Sequence, residues 1–179
     1  MQIFNKLINL FRKDINIPKL KARGLKIGEG NHIGRNCFLD PSHCFLIKIG
    51  DNCTFSFNVS ILAHDASTKK LFNYTKIGCV EVGNNVFIGA NTTVLPNVRI
   101  GNNSIVGAGS VVVHSIPNDE VWAGNPARFI CTLDEYRDKF KNIPKENYFD
   151  ESFTFDGGIT NEKKKQMKEA LKSNIGFVI

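Results

Sequence analysis

Residues 82–116 read VGNNVFIGANTTVLPNVRIGNNSIVGAGSVVVHSI, and an aliphatic residue returns at every sixth position of this stretch. These aliphatic residues are Val82, Ile88, Val94, Ile100, Val106 and Val112. Four positions after each comes a small or β-branched residue: Val86, Thr92, Val98, Ser104, Ser110 and Ile116. A period of six is neither helical nor a simple strand alternation, and it is typical of a parallel β-helix. We therefore predict a mainly β protein of short strands joined at corners rich in glycine and asparagine.

The composition fits one solenoid domain with an appendage. The chain has 179 residues, of which 42% are hydrophobic, and this length suffices to bury a core. The net charge of +6 is assigned to solvated faces in the tails, with an anionic partner as the alternative. Five cysteines without a CxxC pair or a secretory signal predict reduced thiols in a cytoplasmic protein, with Cys37 and Cys53 packed at corners. The sequence has no stretch of 18 consecutive apolar residues, so we predict no membrane-spanning segment.

The repeat divides the chain into three regions. Residues 1–24 are predicted to form an N-terminal helical cap, because apolar residues within 1–13 recur at helical spacing. Peripheral contact of residues 1–13 with the inner membrane surface is the alternative. Residues 25–130 form the β-helix domain, and residues 131–179 form a helical extension with helices near 133–142 and 161–173.

The repeat breaks between Ile61 and Val82, which lie 21 residues apart. The inserted loop, residues 64–79 (HDASTKKLFNYTKIGC), combines polar, charged and aromatic side chains. Loops that leave a regular scaffold often carry function. His64 opens this loop, and an imidazole, whose ordinary pKa is near neutrality, suits a general base that takes an alcohol proton. The alternative is a loop histidine that is hydrogen-bonded to a neighbour.

The group that orients the His64 imidazole remains open from sequence. Asp65 is adjacent, but neighbouring side chains of an extended segment point to opposite sides. Glu81 and a backbone carbonyl are the alternatives. His32 and His43 are interpreted as surface or corner residues. The histidines lack the spacing of a metal site and no nucleic-acid-binding module is present, so we expect neither metal nor nucleic acid to bind.

Residues 88–128 resemble the hexapeptide-repeat acyltransferases, most closely the branch of maltose, galactoside and xenobiotic O-acetyltransferases that includes capsule and lipopolysaccharide enzymes. The segments VGAGSVV and AGNPAR carry this resemblance. It implies a left-handed parallel β-helix of about 18 residues per coil. In this helix Val82 stacks under Ile100, Ile88 under Val106, and Val94 under Val112. It also implies a homotrimer that binds acetyl-CoA and a saccharide acceptor between subunits.

The same resemblance implies roles for individual residues. His64 is the catalytic base, and His114 stands where relatives often have a lysine near the CoA phosphates. The acceptor is expected to contact Asn58 and Asp65, with a corner role as the alternative for Asn58. The residues expected to line the acetyl-CoA site are Ala90, Ala108, Gly109, Val113, His114 and Arg128.

Together these features predict an acetyl-CoA-dependent O-acetyltransferase that acts on a hydroxyl group of a saccharide, either a surface glycan or its precursor. The alternatives are an N-acetyltransferase of an amino sugar, an O-acetyltransferase of antibiotics, and a solenoid that binds without catalysis. The acceptor distinguishes the enzymatic alternatives, and the effect of replacing His64 distinguishes them all from the binding protein.

Overall fold

The computed structural model describes residues 15–179, so the helix predicted within residues 1–13 lies outside the described part of the chain. Contacts divide the chain into a unit that ends at Glu135 and a second unit, Tyr136–Ile179. Across residues 15–179, no helix combines the length and the apolar character that a membrane crossing requires.

In the described residues, the first unit starts with helix α1 (Ile17–Ala22) and continues as short strands that join three sheets in turn. The first sheet contains β1 (Lys26–Ile27), β4 (Ile47–Ile49), β9 (Val80–Val82) and β12 (Val98–Ile100). The second contains β2 (His32–Ile33), β5 (Thr54–Phe55), β10 (Phe87–Ile88), β13 (Ile105–Val106), β15 (Glu120–Ala123) and β16 (Arg128–Thr132). The third contains β3 (Phe38–Leu39), β6 (Ser60–Ile61), β11 (Thr93–Val94) and β14 (Val111–Val112). Within these three sheets, all strand pairs are parallel except β15 with β16.

The strand register confirms the predicted stacking of the repeat. Val82 pairs with Ile100, Ile88 with Val106, and Val94 with Val112. Every aliphatic position of the repeat is at most 3% exposed, and the small or β-branched residues four positions later are equally buried. The core therefore lies inside the coil and between its three sheets.

Asparagine and glycine meet different structural requirements at the corners of the coil. Asn85 and Asn103 adopt left-handed φ angles of 56° and 57°, and their side chains form a ladder in which Asn85 Nδ2 donates to Asn103 Oδ1 at 3.0 Å. Gly101 serves close approach instead, because a Cβ there would lie 2.4 Å from the backbone nitrogen of Asn118. The corners thus need both residue types for different physical reasons.

The buried cysteines support the predicted corner packing. Cys37 and Cys53 are at most 5% exposed, and their thiols contact the carbonyl oxygens of Ser56 and Gly83. Burial raises the pKa of both thiols, so both stay protonated at neutral pH.

Two segments leave the regular coil. The arm, residues 64–79, contains β7 (His64–Asp65), a 3-10 helix (Ala66–Thr68), helix α2 (Lys69–Phe72) and β8 (Lys76–Ile77). Strands β7 and β8 pair antiparallel, so the inserted loop folds back on itself. The second segment, the 41–46 turn, ends in a 3-10 helix (Cys44–Leu46) between β3 and β4.

The second unit begins within helix α3 (Leu133–Asp138), at Tyr136. It contains two 3-10 helices (Lys145–Asn147 and Glu151–Phe153), helix α4 (Asn161–Ala170), and the parallel strands β17 (Tyr148–Phe149) and β18 (Phe177–Val178). Both helices end earlier than the sequence predicts. Helix α4 starts where expected, because the Thr160 side chain caps it by accepting from Lys163 N, and it ends before Leu171.

Candidate active site

His64 and Asp40 form a hydrogen-bonded pair where the arm leaves the coil. His64 is the first residue of β7, and its Nδ1 contacts Oδ2 of Asp40, which directly follows β3 and is fully buried. A carboxylate only accepts hydrogen bonds, so Nδ1 carries the proton of this bond. The neutral ring then has its free lone pair on Nε2, which is the tautomer that a general base requires.

The Asp40 carboxylate is held by four N–H groups. Oδ1 accepts from the backbone nitrogens of Ser42 at 3.0 Å and His43 at 3.3 Å. Oδ2 accepts from Ala63 N at 3.2 Å and from His64. Burial raises the pKa of Asp40, but the hydrogen bonds from His64 and Ser42 outweigh it and bring this pKa below its ordinary value. Asp40 is therefore ionised at neutral pH.

The register of the third sheet brings this pair together. Leu39 of β3 pairs with Ile61 of β6, and Asp40 N donates to Ile61 O at 3.0 Å, so the residues that follow both strands are neighbours. Asp40 bonds to Ser42 N two residues ahead and starts the chain reversal at Pro41. The aspartate–proline pair at the point where the repeat loses register was the available sequence signal, and our sequence analysis missed it.

Asp65 and Glu81 are both wrong as orienting groups for His64. Asp65 forms an ion pair with Lys76, with Nζ and Oδ2 2.8 Å apart, and accepts from Ser67 N at 2.9 Å. These bonds, the one to Lys76 foremost, lower the pKa of the Asp65 carboxyl far below its ordinary value. Glu81 is exposed on the first sheet in register with Lys48 and Arg99. Asp65 therefore holds the arm closed across β7 and β8.

Asn58 occupies a coil corner. Its φ angle is 59°, and its side-chain Nδ2 donates to Asn91 Oδ1 at 2.9 Å. The corner alternative for Asn58 is therefore confirmed. Its role as an acceptor contact stays a prediction.

His43 lies beside the pair in the 41–46 turn, where its side chain is 29% exposed, as its interpretation as a surface or corner residue predicts. Its Nδ1 is buried, lies 3.9 Å from Asp40 Oδ2 and has no hydrogen-bond partner among the described residues. The ring centroids of His43 and His64 are 5.1 Å apart. The proximity of His43 to Asp40 could not be predicted from the repeat, because the 41–46 turn lies outside it.

One cluster in residues 15–179 has the composition of a metal site, and it consists of Asp40, His43 and His64. Their potential ligand atoms lie within 4.8 Å of one another. Each oxygen of Asp40 already accepts two N–H bonds. A cation would have to displace those donors, so the arrangement fits a hydrogen-bonded catalytic pair better than a metal centre.

The residues expected to bind acetyl-CoA occupy the later coils. Ala90 and Gly109 meet at one corner, where Gly109 N donates to Ala90 O at 2.7 Å. Gly109 has a φ of 70° and faces open space, and Ala108 is exposed beside it. This corner presents backbone without bulky side chains, as a bound amide chain would require.

Val113 lies in the same column of the coil as the start of the arm. Leu62 N donates to Val94 O at 2.9 Å, and Leu95 N donates to Val112 O at 3.0 Å, so the chain after β14 lies two coils from Leu62. His114 follows Val113 and is exposed, as is Arg128 at the start of β16. Both side chains, the imidazole of His114 and the guanidinium of Arg128, are therefore accessible to a ligand.

Comparisons with known proteins agree with this architecture. The family model described as bacterial transferase hexapeptide (six repeats) matches residues 79–114. Protein CapG of Staphylococcus aureus is 34% identical over 139 residues, which cover 74% of this chain and 80% of CapG. Galactoside O-acetyltransferase of Escherichia coli (strain K12) is 37% identical over 130 residues, which cover 67% of this chain and 64% of that protein.

A solved structure also shares the fold. The chain is similar to AntD, an N-acyltransferase from Bacillus cereus solved in complex with dTDP and 3-hydroxybutyryl-CoA. The TM-score is 0.51 at 24% identity, with 65% of this chain and 79% of AntD covered. At this identity the similarity concerns the fold alone.

Proposed function

The chain belongs to the bacterial hexapeptide-repeat transferases and is an acyltransferase, and on this premise we propose that it acetylates a hydroxyl group of a saccharide. Acetyl-CoA is the proposed donor, and a surface glycan or its precursor is the proposed acceptor. The His64–Asp40 pair is the observation that carries the proposal. Asp40 binds Nδ1 of His64, so Nε2 is not used in this hydrogen bond and can act as a general base. The relative that acts on galactosides supports a sugar acceptor.

The proposed reaction is a direct transfer in a ternary complex. His64 Nε2 takes the proton of the acceptor hydroxyl while the oxygen attacks the thioester carbonyl carbon. Asp40 stabilises the imidazolium that forms. The carbon–sulfur bond then breaks, the acetyl group remains on the acceptor oxygen, and the imidazolium returns its proton to the leaving thiolate. Backbone N–H groups near the thioester would stabilise the oxyanion.

The donor site is proposed to run along one edge of the later coils. The small residues Ala90, Ala108 and Gly109 would let the pantetheine arm approach the backbone, with Val113 beside it. His114 and Arg128 would face the phosphates, since a guanidinium suits phosphate through its fork of donors. We also propose that the coil is left-handed and that three copies assemble with an active site at each subunit boundary.

The test is a screen of sugars and oligosaccharides with acetyl-CoA, in which thiol release is followed and mass spectrometry locates the acetyl group. We expect O-acetylation of at least one saccharide, and a fall in kcat of at least about a hundredfold in His64→Ala. His32→Ala, which changes an exposed histidine of β2, serves as the matched control and should keep wild-type turnover.

Full turnover by His64→Ala would reject the proposed base. Acetylation at the nitrogen of amino sugars, with none at hydroxyl groups, would favour the N-acetyltransferase alternative. Binding of acetyl-CoA by His64→Ala, measured by calorimetry, separates a loss of chemistry from a loss of folding.

A further inference from the structure

We infer that the 41–46 turn is a subsite for the acceptor, in which His43 hydrogen-bonds to the hydroxyl next to the one that is acetylated and Phe45 stacks on the sugar ring. The inference rests on the proposed function and adds a substrate class to it: a sugar whose acetylated hydroxyl has a vicinal neighbour. Four structural observations support it, concerning the origin of the turn, its rigidity, His43 and Phe45.

The 41–46 turn is an addition to the coil. Ile27 pairs with Ile49, 22 residues further on, whereas Val82 pairs with Ile100, 18 residues further on. The extra residues fall between Leu39 and Ile47, directly after Asp40. Later coils close without them, so this segment serves something other than coil closure.

Helix α1 holds the turn in place. Cys44 is 1% exposed, and its Sγ lies 3.6 Å from the carbonyl oxygens of both Leu20 and Arg23. Gly24 passes so close that a Cβ there would lie 2.8 Å from Cβ of Phe45. Side chains on a turn with such support keep a defined position, as a binding site requires.

His43 presents one ring edge to Asp40 and the opposite edge away from it. The buried Nδ1 of His43 lies 3.9 Å from Oδ2 of Asp40, and the Nδ1 of His64 contacts the same oxygen, so Nε2 is the nitrogen of each ring that is left for a ligand. The side chains remain 29% and 34% exposed, respectively. The structure thus pairs two accessible imidazoles, of which the reaction uses only one.

The pair of rings matches a vicinal diol. Neighbouring hydroxyl oxygens of a pyranose lie about one hydrogen-bond length (~2.8 Å) apart, and imidazoles with centroids 5.1 Å apart can each reach one of them. His64 would take the proton of the reacting hydroxyl while His43 binds its neighbour. An acceptor without the neighbouring hydroxyl would leave His43 unpaired, which is how a polar site discriminates.

Phe45 completes the subsite with an apolar surface. Its side chain is 57% exposed, and its ring centroid lies 5.9 Å from that of His43 at an interplanar angle of 47°. An exposed aromatic ring beside hydrogen-bonding groups is typical of sites that bind small polar ligands. The C–H face of a sugar fits such a ring.

The test compares wild type, His43→Phe and Phe45→Ala on an identified acceptor and on its deoxy analogue that lacks the neighbouring hydroxyl. For His43→Phe we expect about a tenfold higher KM for the acceptor, an unchanged KM for acetyl-CoA, and partial rescue in His43→Gln. The deoxy analogue should lose about tenfold in kcat/KM with wild type but nothing further with His43→Phe. Phe45→Ala, an exposed change that spares the core, should raise the KM for both acceptors alike.

His32→Phe is the matched control and should behave as wild type. An unchanged acceptor KM in both His43→Phe and Phe45→Ala would overturn the subsite while leaving the acetyltransferase function intact. Equal penalties for the deoxy analogue in wild type and His43→Phe would overturn the role of His43. Failure of the wild type to acetylate any saccharide would instead reject the proposed function and this inference together.

Discussion

The two carboxylate oxygens of Asp40 accept hydrogen bonds from four N–H groups, so a substitution at Asp40 should disrupt several hydrogen bonds at once. Asparagine keeps the shape but offers one acceptor oxygen, so at least one face of the cluster loses its hydrogen bonds. The amide also cannot stabilise an imidazolium at His64. We expect Asp40→Asn to lower kcat by at least about a hundredfold, measured by thiol release. Asp156→Asn, an exposed change in the second unit, should retain activity, and equal activity in both variants would contradict the proposed role.

The lowered pKa of Asp40 also predicts how stability depends on pH. The folded chain holds this carboxyl ionised to lower pH than the unfolded chain does, so the unfolded state binds more protons in acid. The resulting stabilisation is complete above the ordinary carboxyl pKa of about 3.9 and disappears as pH falls through the lower folded value. Urea midpoints should therefore fall more steeply in acid for wild type than for Asp40→Asn. A constant gap between the two proteins from pH 7 to pH 3 would contradict this expectation.

At the scale of elements, substitutions at a corner asparagine can separate the cost of the left-handed backbone from the loss of side-chain hydrogen bonds. Asn103 has a φ of 57° and links Asn85 to Asp119 through its amide. Alanine and glycine both remove the amide, but only alanine adds the left-handed cost of roughly 1–2 kcal/mol. We expect Asn103→Ala to unfold at lower urea than Asn103→Gly, with a difference in unfolding free energy of about 1 kcal/mol. Equal midpoints would show that the corner relaxes.

The same elements show where sequence reasoning works. The six-residue period predicted the pairs from Val82 to Val112, because each strand there repeats the spacing of the one before. It could not predict the contact of Asp40 with His64. That contact depends on Leu39 pairing with Ile61, and the 41–46 turn between these residues does not follow the six-residue period. His64 could be predicted because it begins the inserted loop, whereas its partner Asp40 only follows strand β3 in an earlier coil.

At the scale of the whole molecule, the arm carries apolar surface that its own unit does not cover. Leu71, Phe72 and Tyr74 are 66–78% exposed and adjacent on one short segment. Clustered exposed apolar side chains mark interaction sites, and in the proposed trimer a neighbouring copy would bury them. The arm also starts at His64, so an interface on the arm would position this proposed general base at a subunit boundary.

This link between assembly and catalysis is testable with Leu71→Ser/Phe72→Ser. We expect the wild type to have three times the 20.0 kDa chain mass by light scattering, and the double variant to dissociate toward the single-chain mass. Its kcat should fall with dissociation although His64 and Asp40 are unchanged, because each site would lack the surface of its neighbour. Phe155→Ser, which changes an 86% exposed aromatic residue of the second unit, is the matched control and should remain assembled and active. A double variant that keeps the wild-type mass would reject the arm as the trimer interface, and a raised acceptor KM in that assembled variant would instead favour contact of the arm with the sugar.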